Sequence, residues 1–264
     1  MGVLYLVPTP IGNYDDMTLR GVEVLNSCDF VYSEDILESK KLLDYYNVER
    51  LLDCYKEKID EILKLLHDGK TIALISKSGY AGVDLESNRI LKEAVARGND
   101  VITIPGANYL LTGLVTSGIP CDKFLYCGFL EQDRKKEELD KLIDFDRTLV
   151  FYEYQDNLND TLQNLASTFG KRMAVLCLNI SKENERFIHF NLGDELEDIE
   201  TDDKIVIVVE GAKIKSAIQR LNDMDIVSHY NVYISQGLDS KEAMKKVAKD
   251  RGVSKSDIYR VINK

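Results

Sequence analysis

Short apolar runs rich in β-formers alternate with amphipathic segments along the first half of the chain. Four of them, VLYLVPT, FVYSED, TIALIS and DVITIPG, have the length and composition of buried strands, and a helical pattern follows each. That alternation predicts βαβ units around a largely parallel sheet. Helix ends are signposted as well. Asp15 or Asp16 can cap the segment that carries Leu19, Val22, Val24 and Leu25, and Gly98 suits the left-handed position that closes a helix begun near Glu86. A second series of runs follows SGIPCD: KFLYCGFL, RTLVFYEY, RMAVLCLNI, FIHFNL and KIVIVVEGA. The pattern therefore predicts two α/β domains, residues 1–119 and 120–234. A helical tail, 235–264, completes the chain with two short helices around Gly252, for which Ser240 and Ser254 are the expected N-caps.

Composition changes this picture little. The 264 residues are 44% hydrophobic and 30% charged, ordinary for a globular chain. The opening MGVLYLVPTP lacks a basic n-region and a cleavage site and is too short to span a bilayer, so it reads as a first strand. Five scattered cysteines and three distant histidines form no metal-ligand spacing; a cytoplasmic protein with reduced thiols and no metal is expected. The net charge of −11 disfavours a general nucleic-acid coat. Charge is uneven, however: residues 235–264 carry eight basic and four acidic side chains, +4 against −15 elsewhere. On charge alone a solvated helical face is the simpler reading of that tail than an RNA contact.

In open α/β sheets ligands bind beyond the carboxyl ends of the strands, and four such ends stand out. TPIGN, residues 9–13, has one glycine, so the dinucleotide fingerprint is absent, and Pro8 and Pro10 stiffen the turn. SED, residues 33–35, places Glu34 and Asp35 side by side; either could orient or deprotonate a hydroxyl, and Asp35 could equally cap the next helix. SKSGYAG, residues 76–82, gathers Gly79, Ala81 and Gly82, which permit close backbone approach to a ligand, with Lys77 at its mouth. IPGANYL, residues 104–110, does the same through Gly106 and Ala107, although tight strand–helix packing explains those small residues equally well. No nucleophilic triad, Walker loop or HExxH motif is present. These residues alone point to an α/β protein that binds a small molecule.

The same loops in the same order resemble the tetrapyrrole-methylase-like (class III) S-adenosylmethionine-dependent methyltransferases, and within them the bacterial methyltransferases that act on a cytidine ribose of small-subunit ribosomal RNA. The resemblance rests on LYLVPTPIGNYDDMTLRGVEVLNSCDFVYSEDILESKKLL, IPGANYLLTGLVTSGIPCDKFLYCGFL, TLVFYE, IVIVVEGA and QGLDSKEAMKKVAKDRGVSKSDIYRVI, and it covers essentially the whole chain. It implies the tetrapyrrole methylase fold with a small C-terminal helical module, a homodimer, and S-adenosyl-L-methionine held between the two α/β domains. It implies that Pro10, Ser76, Lys77, Gly79, Ala81, Gly82, Ala107, Leu178, Gly211 and Ala212 line the cofactor. Asn13, Glu34, Asp35 and Glu153 would position or deprotonate the acceptor hydroxyl. The substrate implied is RNA of the small ribosomal subunit, and the basic tail is then expected to touch it.

The chain departs from the family text in its polar positions. Ser76-Lys77-Ser78-Gly79-Tyr80-Ala81-Gly82 stands where the family usually reads Ser-Asp-Ala-Gly-Thr-Pro-Gly. Ile36-Leu37 replaces Thr-Arg, and Tyr55-Lys56-Glu57-Lys58-Ile59 replaces Tyr-His-Glu-His-Asn. Two other readings accommodate such changes: a non-catalytic relative that binds RNA, a nucleotide or a protein, and a methylase of a small, tetrapyrrole-type molecule. A lysine pointing at a sulfonium would repel it by about 1 kcal/mol or more, so the direction of Lys77 matters.

Overall fold

The computed structural model describes residues 2–201, 203–213 and 221–262. The chain divides into two compact units, Met1–Ala212 and Lys213–Lys264.

In the first unit the opening strands assemble as the alternation predicts. β1 (Val3–Leu6), β2 (Phe30–Ser33), β3 (Leu51–Cys54), β4 (Thr71–Ile75) and β5 (Asp100–Thr103) form a wholly parallel sheet in the order β3-β2-β4-β1-β5. Helices cover both of its faces, which is why its strands are apolar on both sides. α3 (Ile59–His67) and α4 (Leu85–Ala96) pack Ile62, Leu63, Leu66, Ile90 and Ala94 against Leu4, Leu6, Ile72 and Leu74. On the other face, α1 (Leu19–Ser27) and α2 (Ile36–Tyr45) bring Val24, Leu25 and Leu43 against Val7, Val31, Ala73 and Ile75.

β3 has no counterpart in the sequence reading. It is a four-residue edge strand in which Leu51 is exposed and Asp53 half-exposed, so it lacks the apolar run that marks a central strand. Helix capping also differs. Thr18, whose Oγ1 accepts the Gly21 N–H at 3.0 Å, caps α1, while Asp15 and Asp16 lie in a 3-10 turn (Tyr14–Asp16) just before it. Gly98 does take the left-handed position after α4, at φ +74°.

The second sheet is mixed. Its strands are β6 (Phe124–Phe129), β7 (Thr148–Glu153), β8 (Met173–Leu178), β9 (Arg186–Asn191) and β10 (Ile205–Val209), in the order β6-β7-β10-β8-β9. Only β6 and β7 run parallel; β10 is antiparallel to both of its neighbours. One face is covered by α6 (Lys135–Asp140) and α7 (Gln155–Phe169), through Leu139, Leu158, Leu165 and Phe169. The other is covered by α5 (Tyr109–Thr116), whose Tyr109 and Leu114 join Val150, Tyr152, Val175, Cys177, Val206 and Val208. Ile11, from the loop after β1, enters the same cluster. The first sheet's last helix and first loop are thus packed on the second sheet, and that places the two sets of strand ends side by side.

The second unit contains α8 (Ile226–Ser235), α9 (Ser240–Arg251) and α10 (Lys255–Ile262), which share a core of Tyr233, Ala243, Met244, Val247, Ala248 and Ile258. The expected start of the tail at residue 235 falls on the last residue of α8, which packs with α9 and α10. Asp239 caps α9 through two N–H groups at 2.8 Å, so Ser240 is already inside the helix. Ser254 accepts the Asp257 N–H at 3.2 Å at the start of α10.

Candidate active site

The loops after β1 and β4 are clamped together. The chain leaves β1 toward β2 and leaves β4 toward β5, in opposite directions along the sheet, the arrangement that opens a crevice at the carboxyl ends. Thr9 and Gly79 form an antiparallel bridge, with Thr9 N–H donating to Gly79 O at 2.9 Å and Gly79 N–H to Thr9 O at 3.1 Å. Ser76 Oγ donates to Gly79 O at 2.9 Å, and Thr9 Oγ1 to Ser76 O at 3.1 Å. Gly79 turns the chain at φ +82°, a conformation glycine reaches without a Cβ clash.

Glu34, just beyond β2, accepts the backbone N–H of Lys77 on Oε1 at 2.8 Å. The Lys77 side chain is exposed. Tyr109, at the first turn of α5, ties the clamp to the second sheet. Its hydroxyl lies 2.8 Å from both Ile11 O and Asp203 Oδ1, and it accepts from Ser78 Oγ at 3.1 Å. Burial pushes the phenol's pKa upward, so it serves as a neutral donor. Tyr80, one of the unusual residues of the loop, accepts the Gly106 N–H at 2.9 Å and so fixes the third strand-end loop to the second.

Asp203 and Lys204, immediately before β10, complete the cluster. Because β10 runs antiparallel, its N-terminal end, not its carboxyl end, lies beside the ends of β7 and β8: Ile205 pairs with Glu153 and Val206 with Cys177. Asp203 Oδ2 is 3.0 Å from Lys182 Nζ. Lys204 Nζ lies over three rings, 4.9 Å from the centroid of Tyr152, 5.0 Å from Tyr109 and 5.9 Å from Phe129. Burial lowers its pKa, opposed by the carboxylates of Glu34 and Asp203. Phe129 in turn stacks on Tyr154 at 5.2 Å. Lys204 and Asp203 are absent from the residues singled out in the sequence. The signal was there, two charges abutting the run IVIVV, but a strand's leading end is not where the carboxyl-end rule directs attention.

Other expected site residues are occupied elsewhere. Asn13 caps the 3-10 turn by accepting the Asp15 N–H at 3.0 Å. Asp35 caps α2 by accepting the Glu38 N–H at 3.1 Å. Glu153 is 3% exposed and sits on the far side of its strand: Oε1 accepts Tyr154 N–H at 3.0 Å, while Oε2 accepts Thr161 Oγ1 at 2.6 Å and lies 3.8 Å from Lys135 Nζ. Its job is to hold the start of α7.

Of the expected cofactor residues, Pro10, Ser76, Lys77, Gly79 and Ala107 are brought together around the clamp. Ala81 is buried among Leu4, Leu6 and Leu74, and Gly82 abuts Leu6 and Leu91. Leu178 points into the core beneath α7, so only its backbone is at the strand end. Gly211 and Ala212 follow β10 at its other end, where Ala212 N–H donates to Phe145 O at 2.7 Å. The five residues of β10 separate them from the clamp by about 17 Å, and the structure does not bring them into the site.

A cavity of about 50 Å³ beside the clamp is lined by Thr9, Pro10, Ser76 and Lys77. It could take only part of a nucleoside-sized ligand. A larger one of about 650 Å³ lies between α7 and residues 193–200, away from these groups, and is edged by Asp156, Asp194, Glu197 and Asp198. Among the described residues no cluster of His, Cys, Asp and Glu could hold a metal ion, and no helix is long and apolar enough to cross a membrane.

Comparison with known proteins accounts for this architecture. The family described as Tetrapyrrole (Corrin/Porphyrin) Methylases matches residues 3–197. Ribosomal RNA small subunit methyltransferase I of Bacillus subtilis (strain 168) is 36% identical over 272 residues, covering 98% of this chain and 93% of that protein. The solved structure of the methyltransferase CobJ superposes with a TM-score of 0.61 at 15% identity, covering 82% of this chain and 96% of that one. Uroporphyrin-III C-methyl transferase from Thermus thermophilus, solved in complex with S-adenosylhomocysteine, does so with a TM-score of 0.54 at 16% identity, covering 79% and 97%. With its two sheets, its strand-end clamp and this likeness over nearly its full length, the chain belongs to the tetrapyrrole (corrin/porphyrin) methylase family.

Proposed function

We propose that the protein transfers a methyl group from S-adenosyl-L-methionine to a ribose 2′-hydroxyl of small-subunit ribosomal RNA. The observation that carries this reading is the clamp itself: Glu34, Thr9, residues 76–79 and Tyr109 converge where this family's strand-end loops meet, in a chain 36% identical to a ribosomal RNA methyltransferase.

The residues present suit the cofactor. Its positive sulfonium matches the aromatic faces of Tyr109, Tyr152 and Phe129, which already hold one cation. The backbone at Pro10, Ser76, Lys77, Gly79 and Ala107 lies together at the clamp and can approach a ligand closely. When bound, the cofactor supplies an electrophilic methyl for in-line attack by a hydroxyl oxygen. The protein's part is chiefly alignment, for which a held geometry contributes about 7–11 kcal/mol. Glu34 fixes the Lys77 backbone, Tyr109 fixes Ser78 and Ile11, and Lys77 directs its charge to solvent.

The second unit supplies the RNA-facing charge. Lys241, Lys245, Lys249, Lys255 and Arg260 are all exposed on α9 and α10; Lys264, counted in the basic tail, lies outside the described residues. The phosphate backbone rewards such a face regardless of sequence. Exposed apolar side chains on the first unit, among them Leu37, Val83, Leu85 and Val115, fit burial in a homodimer. A ribosomal substrate places the protein in the cytoplasm.

Calorimetric titration with S-adenosyl-L-methionine and S-adenosylhomocysteine tests the reading, followed by methyl transfer to small ribosomal subunits and to naked RNA. Saturable binding and transfer to the subunit are expected; no heat at millimolar ligand would sink the enzyme reading.

A further inference from the structure

The aromatic box that suits the cofactor's sulfonium is also where Lys204 sits, and two cations do not share such a site comfortably. Resting on the methyltransferase reading, we propose that Lys204, from its place over the faces of Tyr109, Tyr152 and Phe129, is the catalytic proton acceptor for the substrate hydroxyl.

Three observations converge on it. Lys204 stands at the leading end of β10, level with the ends of β7 and β8 and one tyrosine ring from Ser78 of the clamp. Its ammonium is held by ring faces, which stabilise a cation less than a carboxylate does. No ion pair within 4 Å joins Nζ to a carboxylate among the described residues: Glu34 accepts the Lys77 N–H, and Asp203 is engaged by Tyr109 and Lys182. The carboxylates of Glu34 beyond β2 and Asp203 before β10 act on it, and the rings of Tyr109 on α5, Phe129 at the end of β6 and Tyr152 on β7 face it. Lys182 after β8 pairs with that same Asp203, and Tyr154 stacks on that same Phe129. Burial wins over the two carboxylates in setting its titration, so the neutral amine is more accessible than in a surface lysine. Neither Glu34, which holds the Lys77 N–H, nor Glu153, which holds α7, is as well placed to take a proton.

The step balances without another reagent. The hydroxyl oxygen forms a bond to the methyl carbon as the carbon–sulfur bond breaks and its electron pair stays on sulfur. The hydroxyl proton passes to the amine of Lys204, and the resulting ammonium returns it to solvent.

The test compares wild type with Lys204→Gln and Lys204→Arg. Arginine keeps a cation on the rings but does not give up its proton. Both variants are expected to bind S-adenosylhomocysteine within about threefold of wild type, and to lose roughly 10²–10⁴-fold in kcat, the usual share of a general base. Their kcat should also lose the wild type's rise with pH. Titration with S-adenosyl-L-methionine in buffers of different ionisation enthalpy gives a second readout, independent of turnover. Wild type should release protons on binding, and Lys204→Gln should release fewer. Retained kcat and an unchanged pH profile in Lys204→Gln, or equal proton release, would overturn the role of Lys204 while leaving the methyltransferase reading in place. Failure of the wild type to bind either ligand would overturn both.

Discussion

The carboxylate of Glu34 and the backbone N–H of Lys77, 43 residues apart in sequence, meet at 2.8 Å and join the second strand's end to the fourth's. The acid that most invites a catalytic role is therefore holding a loop. Glu34→Gln keeps an acceptor oxygen and should leave cofactor affinity within about twofold. Glu34→Ala removes it and should weaken binding by about 1 kcal/mol, roughly fivefold, as read by calorimetry.

Lys77 occupies a position where the family carries an acid, yet its side chain is exposed. Lys77→Asp should therefore change affinity for S-adenosyl-L-methionine by less than about threefold, in keeping with the small energies of solvent-exposed charges. A tenfold gain would mean that the ammonium turns inward when ligand binds.

Lys135 and Glu153 are each 4% exposed at the side chain, and Lys135 also reaches Asp160 and Thr161 at 2.8 Å. Lys135→Met leaves the Glu153 charge buried without its cation. Removing one partner of such a pair costs about 3–5 kcal/mol, which urea unfolding should show as a lower midpoint at unchanged slope.

His229 in the second unit is fully buried, with Arg251 Nε donating to Nδ1 at 3.1 Å and Nε2 lying 3.5 Å from Asp250 Oδ2. Burial, then the adjacent guanidinium, holds its pKa below the ordinary value of 6.5. The unfolded chain accordingly takes up a proton first as pH falls, and the folded unit follows only at lower pH. Stability conferred by the neutral ring is complete above about pH 6.5 and declines as pH drops through that value toward the folded one. Thermal unfolding followed at pH 7.5 and 5.5 should show a lower transition for this unit at the acid pH, with a smaller difference in His229→Gln.

Much of the fold is legible in the residues because burial on both faces writes long apolar runs, as in TIALI and IVIVV. β3 escapes because an edge strand with Leu51 and Asp53 turned outward has no such run. The caps divide similarly. Gly98 is readable because few other residues tolerate its φ, whereas Thr18 and Asp239 each compete with a neighbouring Asp or Ser of equal capping strength. In the site, the loops after β1 and β4 are readable from their prolines and small residues. Glu153 misleads because alternation along β7 decides which face it takes, and a run buried on both sides hides that alternation. Gly211 and Ala212 mislead for a different reason. Strand direction within the second sheet is a tertiary choice, and reversing β10 exchanges which of its ends meets the cleft.

The bridge between Thr9 and Gly79 extends the order of the first sheet into the loops that meet a ligand. Such loops cannot open as an independent flap, because parting them breaks paired backbone bonds at both residues at once. Their amides should exchange with solvent on the timescale of β1 and β4 themselves. The rate at which a small molecule enters or leaves is then set by motions of the opposite wall or by diffusion, with no gating step at the clamp.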